Sequence, residues 1–246
     1  MTPDSLRIDY SDLGALSTGE GPSPGQAEGP AKEKRGFFSQ LSRWIALLLF
    51  LAILPFFTLV RGSVFLRDEY GFGGWSALGG GALSTVLLLV IYLAAGSLRF
   101  GGKGRVPRSL MKGVGILVAA YCVFSLLYLS AGNAKTEEIR STYTSLHPIL
   151  RVGVSTLLLV DRDGVLTATG RTPEDYAAWG LPANEASLHL PQPDGYVYAV
   201  DIRTLGRPEW RNRAVDLYFR LVGFSTLRHT GTADHLHVSL RLPPAT

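Results

Sequence analysis

The sequence predicts a three-helix transmembrane region followed by an α+β domain built on a small antiparallel sheet. Three observations predict it. Apolar residues are concentrated in three blocks between Trp44 and Ser130. The stretch after them mixes short alternating runs with helical periodicity. All five histidines (His147, His189, His229, His235 and His237) lie beyond the last block.

Residues 1–36 are rich in Gly, Pro, Ser and Glu, as in Gly19-Glu20-Gly21-Pro22-Ser23-Pro24-Gly25. Such composition buries too little apolar surface to offset ordering entropy, so a disordered cytoplasmic tail is expected. Residues 37–132 form the membrane domain. Its first apolar run, Trp44–Val60, begins too far from Met1 for a cleaved signal peptide. It contains Pro55, which a membrane helix tolerates with a kink. The second run, about Trp75–Leu98, starts with Gly79-Gly80-Gly81, small enough for close helix packing. The third, Val114–Leu129, is short, and Gly113, Ser130 and Ala131 extend it toward the ~20 residues a span needs. None of the runs contains Asp, Glu, Lys, Arg or His that would mark a conduction path, which argues against a transporter.

Basic residues set the orientation. Lys32, Lys34, Arg35 and Arg43 precede the first run, and Arg99, Lys103, Arg105, Arg108 and Lys112 separate the second from the third. The first loop has Arg61 and Arg67 against Asp68 and Glu69. The positive-inside rule then puts the amino terminus in the cytoplasm and residues 133–246 outside. In a bacterium this is the multi-pass topology of a cytoplasmic (inner) membrane protein with a periplasmic or wall-facing domain. The net charge of +4 is explained by these topological clusters, and no nucleic-acid partner is expected. The single cysteine, Cys122, rules out an intramolecular disulfide and a cysteine-based zinc site.

In the last domain, Leu157–Val160 and Val165–Ala168 flank the turn sequence Asp161-Arg162-Asp163-Gly164. They read as a hairpin, or the first run ends a helix. Thr172-Pro173-Glu174-Asp175 is a helix start, ended by Gly180. Tyr196–Ile202 reads as a strand, Pro208–Leu221 as a helix stopped by Gly223, and His235–Leu242 as a strand. Residues two apart on a strand share a face, so His235 and His237 point one way and Leu236 and Val238 the other. His189 and Asp201 supply a further imidazole and a carboxylate. This is the ligand chemistry of a catalytic zinc that keeps one position for water.

These residues resemble the zinc peptidases of the D-alanyl-D-alanine carboxypeptidase and dipeptidase group, related to peptidoglycan endopeptidases and the hedgehog fold. The likeness covers about residues 144–242. It rests on Ser187 and His189, on Ala199-Val200-Asp201, on Asp234-His235-Leu236-His237, and on Thr167–Thr172 with its Arg171. The resemblance implies that His189, Asp201 and His237 hold Zn2+. It implies Asp234 as general base and Arg171 facing the reacting centre; His235, on the same strand face as His237, is expected to assist the base. Eleven residues separate His189 from Asp201 where the group has six, with Leu190–Gly195 enlarging the turn, and Val197 stands at the group's glycine. The expected function is a membrane-anchored zinc metallopeptidase acting on peptidoglycan peptides. The alternative is a non-catalytic module that binds peptidoglycan or a protein.

Overall fold

The computed structural model describes residues 37–242, apart from Trp179, Leu181, Ala183, Glu185 and Thr232. The tail expected over residues 1–36 lies outside the described residues. Residues from Leu47 onward form one compact unit.

Three helices are long and apolar enough to cross a membrane. They are α1 (Phe37–Tyr70), α2 (Gly74–Arg99) and α3 (Arg108–Leu127). The apolar run of α1 ends at Val60, yet the helix continues for ten residues. Ser63, Val64 and Arg67 in that extension are buried. Val64 packs where Gly223 has no Cβ, 2.8 Å from the place a Cβ would take. Gly81 of α2 lets Ser63 and the Leu59 carbonyl of α1 approach, as the small residues of that helix predict. The third helix gains its length at the front, by taking in Arg108–Gly113, and not at the back. Ser130 instead precedes a 3-10 turn over Ala131–Asn133.

The C-terminal domain begins with α4 (Glu137–Ser141), capped by Thr136, and a 3-10 turn over Thr142–Ser145. Helix α5 (Pro148–Val160) follows, with Pro148 in its first turn and His147 as cap. Leu157–Val160 therefore ends a helix, and the hairpin alternative does not form. The Asp161–Gly164 turn is tied instead to the start of a later helix, Glu209–Val222. Arg207 and Arg211 both pair with Asp161. Strand β1 is Leu166–Ala168. Helix α6 (Pro173–Ala178) starts on a reciprocal cap: Asp175 N–H donates to Thr172 Oγ1 at 3.3 Å, and Thr172 N–H donates to Asp175 Oδ2 at 2.6 Å. Strand β2 (Ala199–Arg203), helix α7 (Glu209–Val222), β3 (Ser225–His229) and β4 (His235–Ser239) complete the domain. Gly223 ends α7 at a φ of 104°, a conformation that favours glycine.

The four strands run in the order β1-β2-β4-β3, each antiparallel to its neighbours. Val200, Ile202, Leu236 and Val238 join a buried cluster with Ile149, Leu150 and Val152 of α5 and Val215, Phe219 and Val222 of α7. The opposite face of the sheet carries Asp201, His235 and His237, because strand side chains alternate. Strand β3 does not follow from the sequence reading. Its residues alternate between exposed and half-buried, as befits an edge strand.

Candidate metal centre

Strand pairing makes the site. Asp201 on β2 lies directly opposite His237 on β4. Cross-strand neighbours on one face bring their side chains together. His237 Nδ1 is 2.9 Å from Asp201 Oδ1. The third member arrives from the enlarged turn before β2. His189 N–H is held by Ser187 Oγ at 3.3 Å, and Tyr176 donates to that same oxygen at 3.0 Å. Gln192 N–H bonds the Tyr196 carbonyl and Tyr198 N–H bonds the Leu188 carbonyl. Gly195 at a φ of 82° closes the turn. The residues that widen the His189–Asp201 spacing are thus looped out, and His189 still reaches the centre.

His189 Nδ1 lies 2.7 Å from the Thr169 carbonyl oxygen. A carbonyl only accepts, so that nitrogen carries the proton. Nε2 of the same ring faces Asp201 Oδ1 and His237 Nδ1, each at 3.2 Å. Either a second ring proton or a bound cation fills that position. The three separations of 3.2, 3.2 and 2.9 Å also match the edges of a tetrahedron around an ion. Ligand bonds of about 2.0–2.1 Å give edges of about 3.3 Å. His189, Asp201 and His237 therefore form a group that could hold a metal ion. The Thr169 carbonyl acts as the outer partner that fixes ring tautomer and orientation. Burial by itself would raise the Asp201 carboxyl. Hydrogen bonds from His189 and His237, with the charge of the imidazoles around it, hold it well below the usual carboxylate range.

Arg171 and His235 complete the surroundings. Arg171 Nη2 is 3.3 Å from Asp201 Oδ2, the oxygen turned away from the triangle. The Arg171 N–H also donates to the His189 carbonyl at 2.8 Å. His235 Nδ1 is 2.7 Å from the Ala233 carbonyl, so its proton sits there. Its Nε2 lies 3.7 Å from Asp201 Oδ2. Both residues line a cleft of about 350 Å³ with Asp201, Asp234, Lys135 and Arg203.

Asp234 lines the cleft but does not face the triangle. Arg228 grips its carboxylate with two bonds, Nε to Oδ1 at 3.0 Å and Nη2 to Oδ2 at 2.8 Å. Thr204 Oγ1 donates to Oδ1 at 2.7 Å. The Arg228 bonds, then the Thr204 bond, pull the Asp234 carboxyl down to about 2. A carboxylate so held is a weak proton acceptor at neutral pH, so its placement does not support the base role expected of it.

Three further residues belong to this region. Lys135 and Arg203 line the cleft, and their side chains make no hydrogen bond or ion pair among the described residues. His229 stacks on His235, with ring centroids 4.8 Å apart and planes at 23°. Only the pairing of β3 with β4, which sets His229 opposite His235, brings this out. His147 is a structural residue. It caps α5 and packs against Tyr196 and Tyr198. Burial, then nearby Arg67, pushes its imidazole down to about 4 and keeps it neutral. No protein-family model, curated protein or solved structure matches this chain.

Proposed function

We propose that this protein is a zinc metallopeptidase, anchored in a bacterial cytoplasmic membrane, that hydrolyses peptide bonds in peptidoglycan. The observation that carries this reading is the triangle of His189 Nε2, Asp201 Oδ1 and His237 Nδ1. Two imidazoles and one carboxylate with spacings of 2.9–3.2 Å suit a zinc ion that keeps a fourth position open. When bound, zinc polarises a scissile carbonyl and lowers the pKa of its water to about 7.

The protein's own groups do the rest. His235 Nε2, freed as an acceptor by the bond at Nδ1, takes the proton of the attacking water and returns it to the leaving amine. Asp234 is assigned a structural role, holding the start of β4 through Arg228. Arg171 stands beside Asp201 and offsets negative charge that develops in the cleft. Lys135 and Arg203 give the cleft an excess of positive charge suited to the carboxylates of wall peptides.

The outer location is supported by the way the helices meet the C-terminal domain. The domain touches the end of α1 through Gly223, the start of α2 through His147 beside Gly74, and the end of α3 through Tyr143 O–H, which donates to the Ser125 carbonyl at 2.9 Å. Three consecutive spans alternate direction, so these ends share one side. With the basic 99–112 loop in the cytoplasm, that side is external. Phosphatase and green fluorescent protein fusions at Thr246 check this. Fluorescence without phosphatase activity overturns it.

A second reading, a non-catalytic module that binds peptidoglycan, is favoured by the pairing of Asp234 with Arg228. Metal content and muropeptide digestion by the full chain in detergent separate the two. One zinc with cleavage supports the enzyme. Zinc without cleavage supports the binder, and no zinc removes the metallopeptidase reading.

A further inference from the structure

A second cleft lies away from the metal centre, where the extension of α1 meets the corner between α7 and β3. Its volume is about 590 Å³, within the range of ~300–1,000 Å³ usual for small-ligand sites. Arg61, Phe65, Asp68 and Glu69 of α1 form one wall, and Arg220, Leu221 and Arg241 stand opposite. We propose that this cleft binds the phosphate group of a membrane phospholipid in the leaflet that contacts the C-terminal domain. The proposal rests on the three apolar helices lying in a bilayer, and is independent of the metal centre.

The depth of the cleft is the first argument. Arg61 is the first residue after the apolar run of α1, which ends at Val60. Phe65, Tyr70, Phe72 and Trp75, at the adjoining ends of α1 and α2, are all exposed. Exposed aromatic rings at a span's end mark the headgroup layer. The cleft therefore opens where lipid phosphates lie.

Its chemistry is the second argument. Arg61 and Arg241 make no hydrogen bond or ion pair from their side chains among the described residues. Arg220 is held by Asp216 at 2.9 Å. Of the acids, Asp68 is taken up by Arg67 at 2.9 Å, so Glu69 alone opposes the arginines. The cleft is left cationic, with guanidinium groups whose fork geometry suits phosphate. Arg61 is also seated, because its Nη1 lies 2.5 Å from the place a Cβ on Gly223 would take. Exposed Phe65 and Leu221 offer apolar surface for the first carbons of the acyl chains.

Calorimetric titration of the delipidated full chain, in an uncharged maltoside detergent, tests the site. The probes are dihexanoyl phosphatidylglycerol, dihexanoylglycerol without phosphate, and inorganic phosphate. The phosphatidylglycerol should bind saturably at one per chain, and dihexanoylglycerol should not bind. Arg61→Gln and Arg241→Gln should each weaken binding roughly tenfold, the loss of one charge-assisted hydrogen bond. Arg61→Lys should recover part of the loss, and Glu69→Gln should tighten binding by removing like charge. The Glu69 variant keeps the test decisive if an arginine variant melts early. Inorganic phosphate binding as tightly as the lipid overturns the lipid assignment. Absence of saturable binding, or binding indifferent to all three positions, overturns the site.

Discussion

The apolar helices and the C-terminal domain use hydrophobic residues in opposite ways. Between 11% and 22% of each apolar window in α1–α3 is buried, and side chains such as Leu87, Ile91, Ile116 and Leu117 face outward. In α5, by contrast, every residue from Pro148 to Leu157 is buried. A surface of the first kind suits a lipid solvent, which asks only for hydropathy and a few close helix contacts. In the second kind each side chain has a fixed neighbour, and that fixed packing holds three ligand atoms within 3.2 Å of one another.

The sharpest test of that contrast is at the ligands. Asp201→Ala should lower zinc affinity more than 100-fold, beyond the 10- to 100-fold typical of outer-shell partners. Metal analysis against a competing chelator reads it, and full retention of zinc would remove the assigned centre. Next, His235→Ala should keep zinc and lose muropeptide hydrolysis by roughly 100- to 10,000-fold, whereas Asp234→Asn should retain most activity. The reverse result would return the base role to Asp234.

Packing supplies the third comparison. Phe219→Ala, in the buried cluster, should cost about 3–5 kcal/mol. Leu87→Ala and Ile116→Ala should stay within about 0.5 kcal/mol, since detergent or lipid fills the space. Denaturant unfolding in micelles measures both, and equal effects would mean the helices bury far more than their exposure indicates. The smallest effect concerns acid. The folded Asp234 value of about 2 lies below the unfolded value of about 3.9. Its contribution is therefore present above about pH 4 and is lost as pH falls through 2. Thermal melts of Arg228→Gln should be flatter than the parent's between those limits. Identical slopes would show that the pair contributes nothing.

How much of this was legible in the sequence differs between the same two regions. Apolar runs alone located all three helices, because hydropathy is the property the membrane selects. They missed the last ten residues of α1, where Arg67, Asp68 and Glu69 look like a loop although Arg67 packs over the Tyr198 ring of the C-terminal domain. The alternation around His235 and His237 placed both on one face, as found. Asp201 and His189 were marked as ligands by resemblance, but the Asp201–His237 register is a long-range property that no local pattern carries. The surroundings of Asp234 were hidden for the same reason. Its partner Arg228 lies six residues upstream on a strand that went unrecognised, and only the β3–β4 pairing turns that guanidinium toward it. His229 was hidden with it.

The extension of α1 beyond its apolar run has a mechanical meaning. At 1.5 Å per residue the whole helix is about 50 Å long, against a hydrocarbon core of about 30 Å. The overhang is not a free stalk, because Ser63, Val64 and Arg67 are embedded among residues of the folded unit. With the helices in a bilayer, the candidate metal centre would have no slack. It would be held close to the end of α1 and could not sweep outward on a tether. A molecule meeting it would have to come to the membrane surface.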